Sequence, residues 1–259
     1  MLVDSHCHLD YEPLDSITSL IKRAKESGVH VMQTICTKKT GVSNIIKIIE
    51  THKEVFGSVG THPLEIEKGE AMTCSEIIDI ANHSKIIGIG ETGLDYHYSK
   101  TNHEIQKKVF LEHIRASSIT KLPIIIHSRD ADIDMIEILK RELVKNPFTG
   151  VMHCFTSSAE LALQAIEAGL YISFSGIITF KNTEQLHHTI KLLPLDKILI
   201  ETDSPYLTPI PFRGKKNEPA NLKYTALKMA EIINISFDEL SKITTENFYK
   251  LFNKTKNNN

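Results

Sequence analysis

Two imidazoles stand one residue apart almost at the N-terminus, in Asp4-Ser5-His6-Cys7-His8-Leu9-Asp10. In an extended strand side chains alternate between faces, so His6 and His8 point the same way with Asp4 beneath them, while Cys7 and Leu9 point the other way. That spacing suits chelation of a metal ion. An isolated His-x-His is more often a pair of surface histidines in a loop. What reverses that reading is four later strands, each ending in a group able to share one site. Ile87, Ile89 and Glu91 share a face of the fourth strand, Ile125 and His127 of the fifth, Val151 and His153 of the sixth, and Leu199, Glu201 and Asp203 of the eighth. His6, His8, Glu91, His127, His153 and Asp203 are thus six candidate ligands, more than a single ion needs. Four neutral imidazoles and two carboxylates fit two divalent metal ions, with Glu91 or a water-derived hydroxide between them, an arrangement that activates water and stabilises a displaced oxygen. Glu201, two residues below Asp203 on the same face, reads as a partner behind the ligands, because a buried carboxylate is costly alone.

Imidazole suits zinc, manganese, iron or nickel, whereas magnesium prefers oxygen ligands, so the residues favour a transition metal in at least one position. Cys7 and Cys154 adjoin ligands, yet alternation turns both toward the surrounding helices as core thiols. His30, His52, His83, His113, His187 and His188 fall on helices, in loops or at the start of a strand, and read as plain surface residues.

The elements that must position these groups alternate regularly. Apolar β-rich runs at 2–4, 29–36, 55–60, 86–91, 123–127, 151–153, 170–175 and 197–203 are separated by helical periodicity at 14–27, 42–52, 75–82, 103–120, 133–144, 159–168 and 183–192. A proline-rich loop over 204–219 leads into helices at 222–233, 237–243 and 246–252. Near-continuous Ile/Val strands imply a parallel sheet covered by helices, and the length suits an α/β fold of the closed (β/α)8 TIM barrel type, one domain over 1–253 with a disordered tail at 254–259. An open doubly wound sheet is the runner-up, but no Gly-x-Gly-x-x-Gly follows the first strand. In a barrel the C-terminal strand ends converge, which would gather the six ligands at one mouth.

Composition narrows the partners. With 30 basic and 32 acidic residues the net charge is −2, so contact with nucleic acid requires a local basic patch rather than a generally basic surface. The four cysteines lack Cys-x-x-Cys spacing and no signal-like stretch precedes them, which favours a reducing, cytoplasmic setting. No apolar run reaches the length needed to span a bilayer, and no protein partner is inferable.

The chain resembles the TatD family of metal-dependent deoxyribonucleases, within the wider amidohydrolase-like barrels. The likeness runs nearly end to end and rests on Asp4-Ser5-His6-Cys7-His8-Leu9-Asp10, Gly60-Thr61-His62-Pro63, Gly90-Glu91-Thr92-Gly93-Leu94-Asp95-Tyr96, His127-Ser128-Arg129-Asp130-Ala131, His153-Cys154-Phe155 and Glu201-Thr202-Asp203-Ser204-Pro205-Tyr206-Leu207, extended by the loop Pro211 to Pro219. Thr61 and Thr92 stand where isoleucine is usual, and Thr156-Ser157 where Ser-Gly is usual. The resemblance implies DNA hydrolysis dependent on divalent metal, often as a 3′-to-5′ exonuclease, with magnesium the usual ion.

On that reading Asp203 receives the proton of the attacking water and Glu91 bridges the metals. Arg129, Arg213 and Lys215 would hold phosphates, His62 a phosphate or leaving oxygen, and Tyr96 and Tyr206 would stack on bases. Alternatives on the same barrel are a small-molecule ester, amide or phosphotriester hydrolase, or an aminoacyl-tRNA deacylase. Small-molecule relatives commonly bridge their metals with a carboxylated lysine on the fourth strand, where this chain has Glu91. A catalytically dead nucleic-acid scaffold would lack ligands, and none is lacking.

Overall fold

The computed structural model describes residues 1–99 and 102–258, which form a parallel barrel of eight strands in chain order. They are β1 (Leu2–Cys7), β2 (Val29–Thr34), β3 (Val55–Val59), β4 (Ile86–Asp95), β5 (Ile124–Arg129), β6 (Gly150–Met152), β7 (Tyr171–Phe174) and β8 (Ile198–Ile200). Between them run α1 (Leu14–Glu26), α2 (Val42–Thr51), α3 (Cys74–Ala81), α4 (His103–Thr120), α5 (Asp132–Lys145), α6 (Ala159–Glu167) and α7 (Glu184–Leu192), followed by α8 (Leu222–Ile233) and α9 (Phe237–Leu251). Starts and stops follow local chemistry. Thr73 and Glu76 form a reciprocal capping box at α3, and Ser158 and Ser236 cap α6 and α9 through their side chains.

Strands β1 and β8 close the barrel through bonds just beyond the regular ladder. The Asp203 N–H donates to His6 O at 2.9 Å, the His8 N–H to Ser204 O at 2.8 Å, and the Ser5 hydroxyl to Ile200 O at 3.0 Å. Inside, Val3, Phe56, Ile87, Ile125, Val151, Tyr171 and Leu199 each come from a different strand and pack with Ile35, Phe248, Leu251 and Phe252. The end of α9 thereby plugs the floor of the barrel. The larger core lies between strands and helices. With the floor filled, residues further along the strands face the open mouth.

Three expectations need correction. First, α9 is one helix rather than two, because Thr244 does not interrupt it: its hydroxyl donates to Leu240 O at 3.0 Å. Second, residues 254–256 are not a disordered tail. They belong to a 3-10 turn over Asn253–Asn258, Thr255 is buried, and Lys254 Nζ donates to Ala81 O and His83 O at 2.8 Å; residue 259 lies outside the described residues. Third, Ile89 does not share the face of Ile87. It packs in the outer core, because the pairing of β4 shifts register against both β3 and β5 and simple alternation fails there.

No helix among the described residues is long and apolar enough to cross a membrane.

Candidate metal centre

Each candidate ligand is carried to the mouth by a strand or by the residues just after one. β6 ends at Met152 and β8 at Ile200, but the chain continues the ladder: His153 N–H donates to Ile126 O at 2.9 Å and Glu201 N–H to Phe174 O at 3.1 Å. Asp203 is held in the left-handed region, φ 53°, which aspartate tolerates better than most residues. Glu91 is flanked by Gly90 and Gly93, both at positive φ, where a Cβ would lie 2.6 Å from Ile125 O and 2.0 Å from His127 O. Only glycine lets β4 run this close to β5. The Glu91 N–H donates to Cys36 O at 3.0 Å and the Ser58 hydroxyl to Gly90 O at 2.5 Å, which fixes the backbone under the carboxylate.

The six side chains converge, and Glu91 divides them. Its Oε2 lies 3.4 Å from His6 Nε2 and 4.0 Å from His8 Nε2. Asp203 Oδ1 completes that group, 3.3 Å from His8 Nε2 and 3.7 Å from His6 Nε2. Glu91 Oε1 lies 2.7 Å from His153 Nε2, 3.1 Å from His127 Nδ1 and 3.4 Å from His62 Nε2. One carboxylate therefore offers an oxygen to each of two clusters of nitrogen and oxygen donors.

This donor set fits a pair of divalent ions. His6, His8, His153 and Glu91 are buried, and such groups are costly to bury without a common partner. Imidazole nitrogens combined with carboxylate oxygens suit zinc, manganese or nickel, and the carboxylates alone also suit magnesium.

Burial and charge pull the imidazoles apart. Burial lowers His62 to about 3 and also lowers His6. Burial likewise lowers His153, but Glu91 and Glu201 overcome it and hold that ring well above its usual value. Burial would raise Glu91, yet the surrounding His153, His62 and His127 keep it well below the ordinary carboxylate range. His62 Nδ1 accepts the Leu64 N–H at 3.1 Å, so the neutral ring carries its proton on Nε2, pointing at Glu91. This makes His62 a hydrogen-bond donor at the site rather than a ligand.

Behind the donors lies a layer of partners. Glu201 Oε1 is 3.4 Å from His153 Nδ1, though not aligned as a hydrogen bond, while its Oε2 accepts from the Ser173 hydroxyl. Asp4 accepts from Thr202 N–H at 2.9 Å and from its hydroxyl at 2.6 Å, tying β1 to the segment after β8, and burial pushes its carboxyl up to about 7. Asp95, which the sequence reading passed over, is the clearest of these partners. Its Oδ2 lies 3.0 Å from His127 Nε2, and Gln106 clamps its backbone at 2.8 and 3.0 Å. An Nε2–H donated to Asp95 leaves His127 Nδ1 free to face the cluster.

The mouth opens into a cavity of about 1430 Å³. Arg129, Tyr96, Tyr206 and His62 line it, whereas Arg213 and Lys215 do not: Arg213 lies 3.5 Å over the Phe180 ring and Lys215 5.5 Å over Phe212. Tyr96 is engaged, its ring stacked on His103 at 3.6 Å and its hydroxyl donating to Asp134 at 2.5 Å. Tyr206 is 54% exposed at the rim, edge-on to His8 and Tyr11. Tyr11, stacked on His8 at 4.9 Å, and Tyr98 are further aromatics of the wall.

Two expectations about other residues fail. Cys154 lines the cavity, 3.2 Å from Ser175 Oγ, because its positive φ of 44° breaks the alternation that would have turned it outward. His113 is fully buried rather than a surface residue: its Nδ1–H donates to Val109 O at 2.7 Å and its Nε2 accepts the Thr61 N–H at 3.0 Å. The Thr61 hydroxyl, donating to Glu70 O at 2.9 Å and accepting from Met72 N–H at 3.2 Å, tethers the loop after β3.

Comparison with known proteins identifies the family and the fold. The family model described as TatD related DNase matches residues 3–253. A Bacillus subtilis protein named uncharacterized metal-dependent hydrolase YabD is 40% identical, covering 97% of this chain and 99% of its own. The Escherichia coli K12 protein named uncharacterized metal-dependent hydrolase YcfH is 38% identical, covering 97% and 95%. The crystal structure of YJJV, a TatD homologue from E. coli K12, superposes with a TM-score of 0.90 at 26% identity over 97% of this chain and 98% of the other.

Proposed function

Because this chain belongs to the TatD related DNase family of metal-dependent hydrolases, we propose that its cluster hydrolyses phosphodiester bonds of DNA using water activated by two divalent ions. The observation that carries this reading is the division of Glu91, with Oε2 toward His6 and His8 and Oε1 toward His127 and His153. Such a pair of ions supplies an acidified water and positive charge opposite the phosphoryl oxygens. The protein's part is positional. His6, His8 and Asp203 would hold one ion, His127 and His153 the other, and Glu91 both. Asp203, at the open side of its group, takes the proton of the attacking water, and the His62 Nε2–H donates to a phosphoryl or leaving oxygen.

The charge of the wall makes a demand of its own. Among the described residues Glu65, Glu91, Asp95, Asp130, Asp132, Asp134 and Asp203 line the cavity beside its histidines and against one arginine, Arg129. A polyanion enters such a cavity only after cations have been bound, so DNA affinity should be negligible in stripped protein. The same acidic wall favours the second reading, a small-molecule ester or phosphotriester hydrolase, since a neutral substrate meets no repulsion there.

The test is to strip the protein, reload it with zinc, manganese, nickel or magnesium singly, and assay end-labelled single-stranded DNA, duplex DNA and RNA beside a neutral ester and a phosphotriester. Turnover of DNA above the neutral substrates, falling about 10²–10⁴-fold in Asp203→Asn with the fold intact, supports the reading. Faster turnover of the neutral compounds by the wild-type enzyme overturns it.

A further inference from the structure

Arg129, the single lysine or arginine among the described residues of the cavity wall, stands among carboxylates that are all engaged elsewhere. Asp130 pairs with His97 at 2.8 Å, and Asp132 accepts the Ser158 N–H at 3.0 Å. Asp134 pairs with Lys107 at 2.7 Å, and Glu65 with Lys68 at 2.8 Å. Asp95 serves His127 with one oxygen at 3.0 Å and the Tyr98 N–H with the other at 2.9 Å. Among the described residues no carboxylate pairs with the Arg129 guanidinium. What it touches is the Tyr98 ring, whose centroid lies 4.8 Å from Cζ. The arginine is half-buried and Tyr98 is 64% exposed, so a partly desolvated cation sits over an aromatic ring, and among the described residues its donors have no acceptor.

We propose that Arg129, seated on Tyr98, binds a second phosphate of the substrate, the one neighbouring the phosphate at the metal cluster. This rests on the phosphodiester reading above and narrows it. The backbone under the platform is tied to the cluster by one carboxylate: Asp95 faces the His127 ring and accepts the Tyr98 N–H. β4 and β5 add the pairing of Asp95 with Arg129 and the bond from Tyr96 N–H to Arg129 O at 2.9 Å. A cation tied in this way to the strand that carries His127 would favour a substrate with two phosphates along one chain over an isolated phosphodiester. It also gives a use to an arginine that, among the described residues, stands on an otherwise acidic wall without a carboxylate partner.

The test uses metal-loaded full-length protein and needs no turnover. Thymidine 3′,5′-bisphosphate and thymidine 5′-monophosphate are titrated calorimetrically into the wild type, Arg129→Ala, Arg129→Lys and Tyr98→Leu. The wild type should prefer the bisphosphate by about 10-fold or more, as one charge-assisted contact allows. Arg129→Ala should bring the ratio near one. Arg129→Lys should recover part of it, since the ammonium keeps the charge and loses the planar fork, and Tyr98→Leu should lose a smaller part. Retention of the preference in Arg129→Ala, no preference in the wild type, or competition by succinate as strong as that by the bisphosphate overturns the assignment. Loss of bound metal in Arg129→Ala, measured by elemental analysis, also overturns it by giving the residue a structural role instead. If the wild type cleaves no nucleic acid while the preference vanishes with Arg129, the platform stands and the hydrolytic reading falls; DNA cleavage with the preference intact in Arg129→Ala is the reverse.

Discussion

The two halves of the cluster are built differently. On the side of His6 and His8, the rings are positioned by stacking and by the closing seam of the barrel. His6 lies flat on His153 at 3.9 Å and 8° and His8 on Tyr11 at 4.9 Å and 12°; among the described residues the Nδ1 atoms of both have no hydrogen-bond partner, as is also true of His153 Nδ1. On the side of His127 and His153, a carboxylate stands behind each ring, Asp95 for the one and Glu201 for the other. Asp95 chooses the His127 tautomer by accepting from its Nε2–H, and the charge of Glu91 and Glu201 raises His153 against burial; on the other side burial lowers His6, while for His8 the Asp203 carboxylate overcomes burial and raises the ring. The comparison teaches that each ring of one half has a carboxylate behind it, whereas the rings of the other meet carboxylates only at the edge that faces the cluster, and that Glu91 is shared by both.

The largest effect should therefore come from Glu91. In Glu91→Gln both ions should be lost together, with activity falling by more than the ~100-fold that removal of an outer partner costs. Elemental analysis showing one ion retained at full occupancy would break the idea of sharing. A selective effect should follow from Asp95→Asn, which weakens one of the two sites by about 10–100-fold while the other keeps its affinity. Equal weakening of both in a metal titration would mean that the halves are not separately tuned.

A third measurement concerns the wall behind the carboxylate-backed half, where His113 holds the Thr61 N–H next to His62. Burial depresses its pKa to about 4 from 6.5, so between those values the unfolded chain binds the proton and the folded chain does not. The stability this contributes is present above pH 6.5 and is lost as pH falls toward 4. At pH 5 the loss is about 2 kcal/mol. Denaturant titrations from pH 7 to pH 5 should show a decline in the wild type that is smaller by that amount in His113→Gln, and equal slopes would refute the assignment.

The smallest effect is expected at Arg213 and Lys215. Their motif suggests phosphate contacts, each worth about 0.7 in the log–log salt slope on a single strand. Their seats on Phe180 and Phe212, off the cavity wall, point instead to little change in oligonucleotide KM or salt slope when both become alanine. A slope flattened by about 1.4 would show that DNA extends out of the cavity across this loop.

What was legible in the chain follows from these differences. The eight strands, the barrel and the convergence of strand-end residues could be read because Ile/Val runs alternate with helical periodicity and histidines sit at their ends. Alternation failed where backbone geometry changed. Register shifts sent Ile89 outward, and the left-handed turn at Cys154 brought a thiol into the cavity. Asp95 escapes a reading that ends the fourth strand at Glu91, whereas β4 runs to Asp95. The signal was present in the spacing, since positions 91 and 95 lie an even number of residues apart. The seats of Arg213 and Lys215 had no such signal, because a proline-rich loop carries no periodicity from which to read direction.

The seam between β1 and β8 has a consequence for how the protein is born. Asp4 and Thr202, 198 residues apart, must meet before His6, His8 and Asp203 stand together. At roughly 5–20 residues per second on the ribosome, the first histidines wait some 10–40 s for their carboxylate. A nascent or truncated chain thus has no complete centre, and full metal loading reports that the last strand has docked. Capture of the ions after translation would then favour the closed barrel by mass action over any partly folded form.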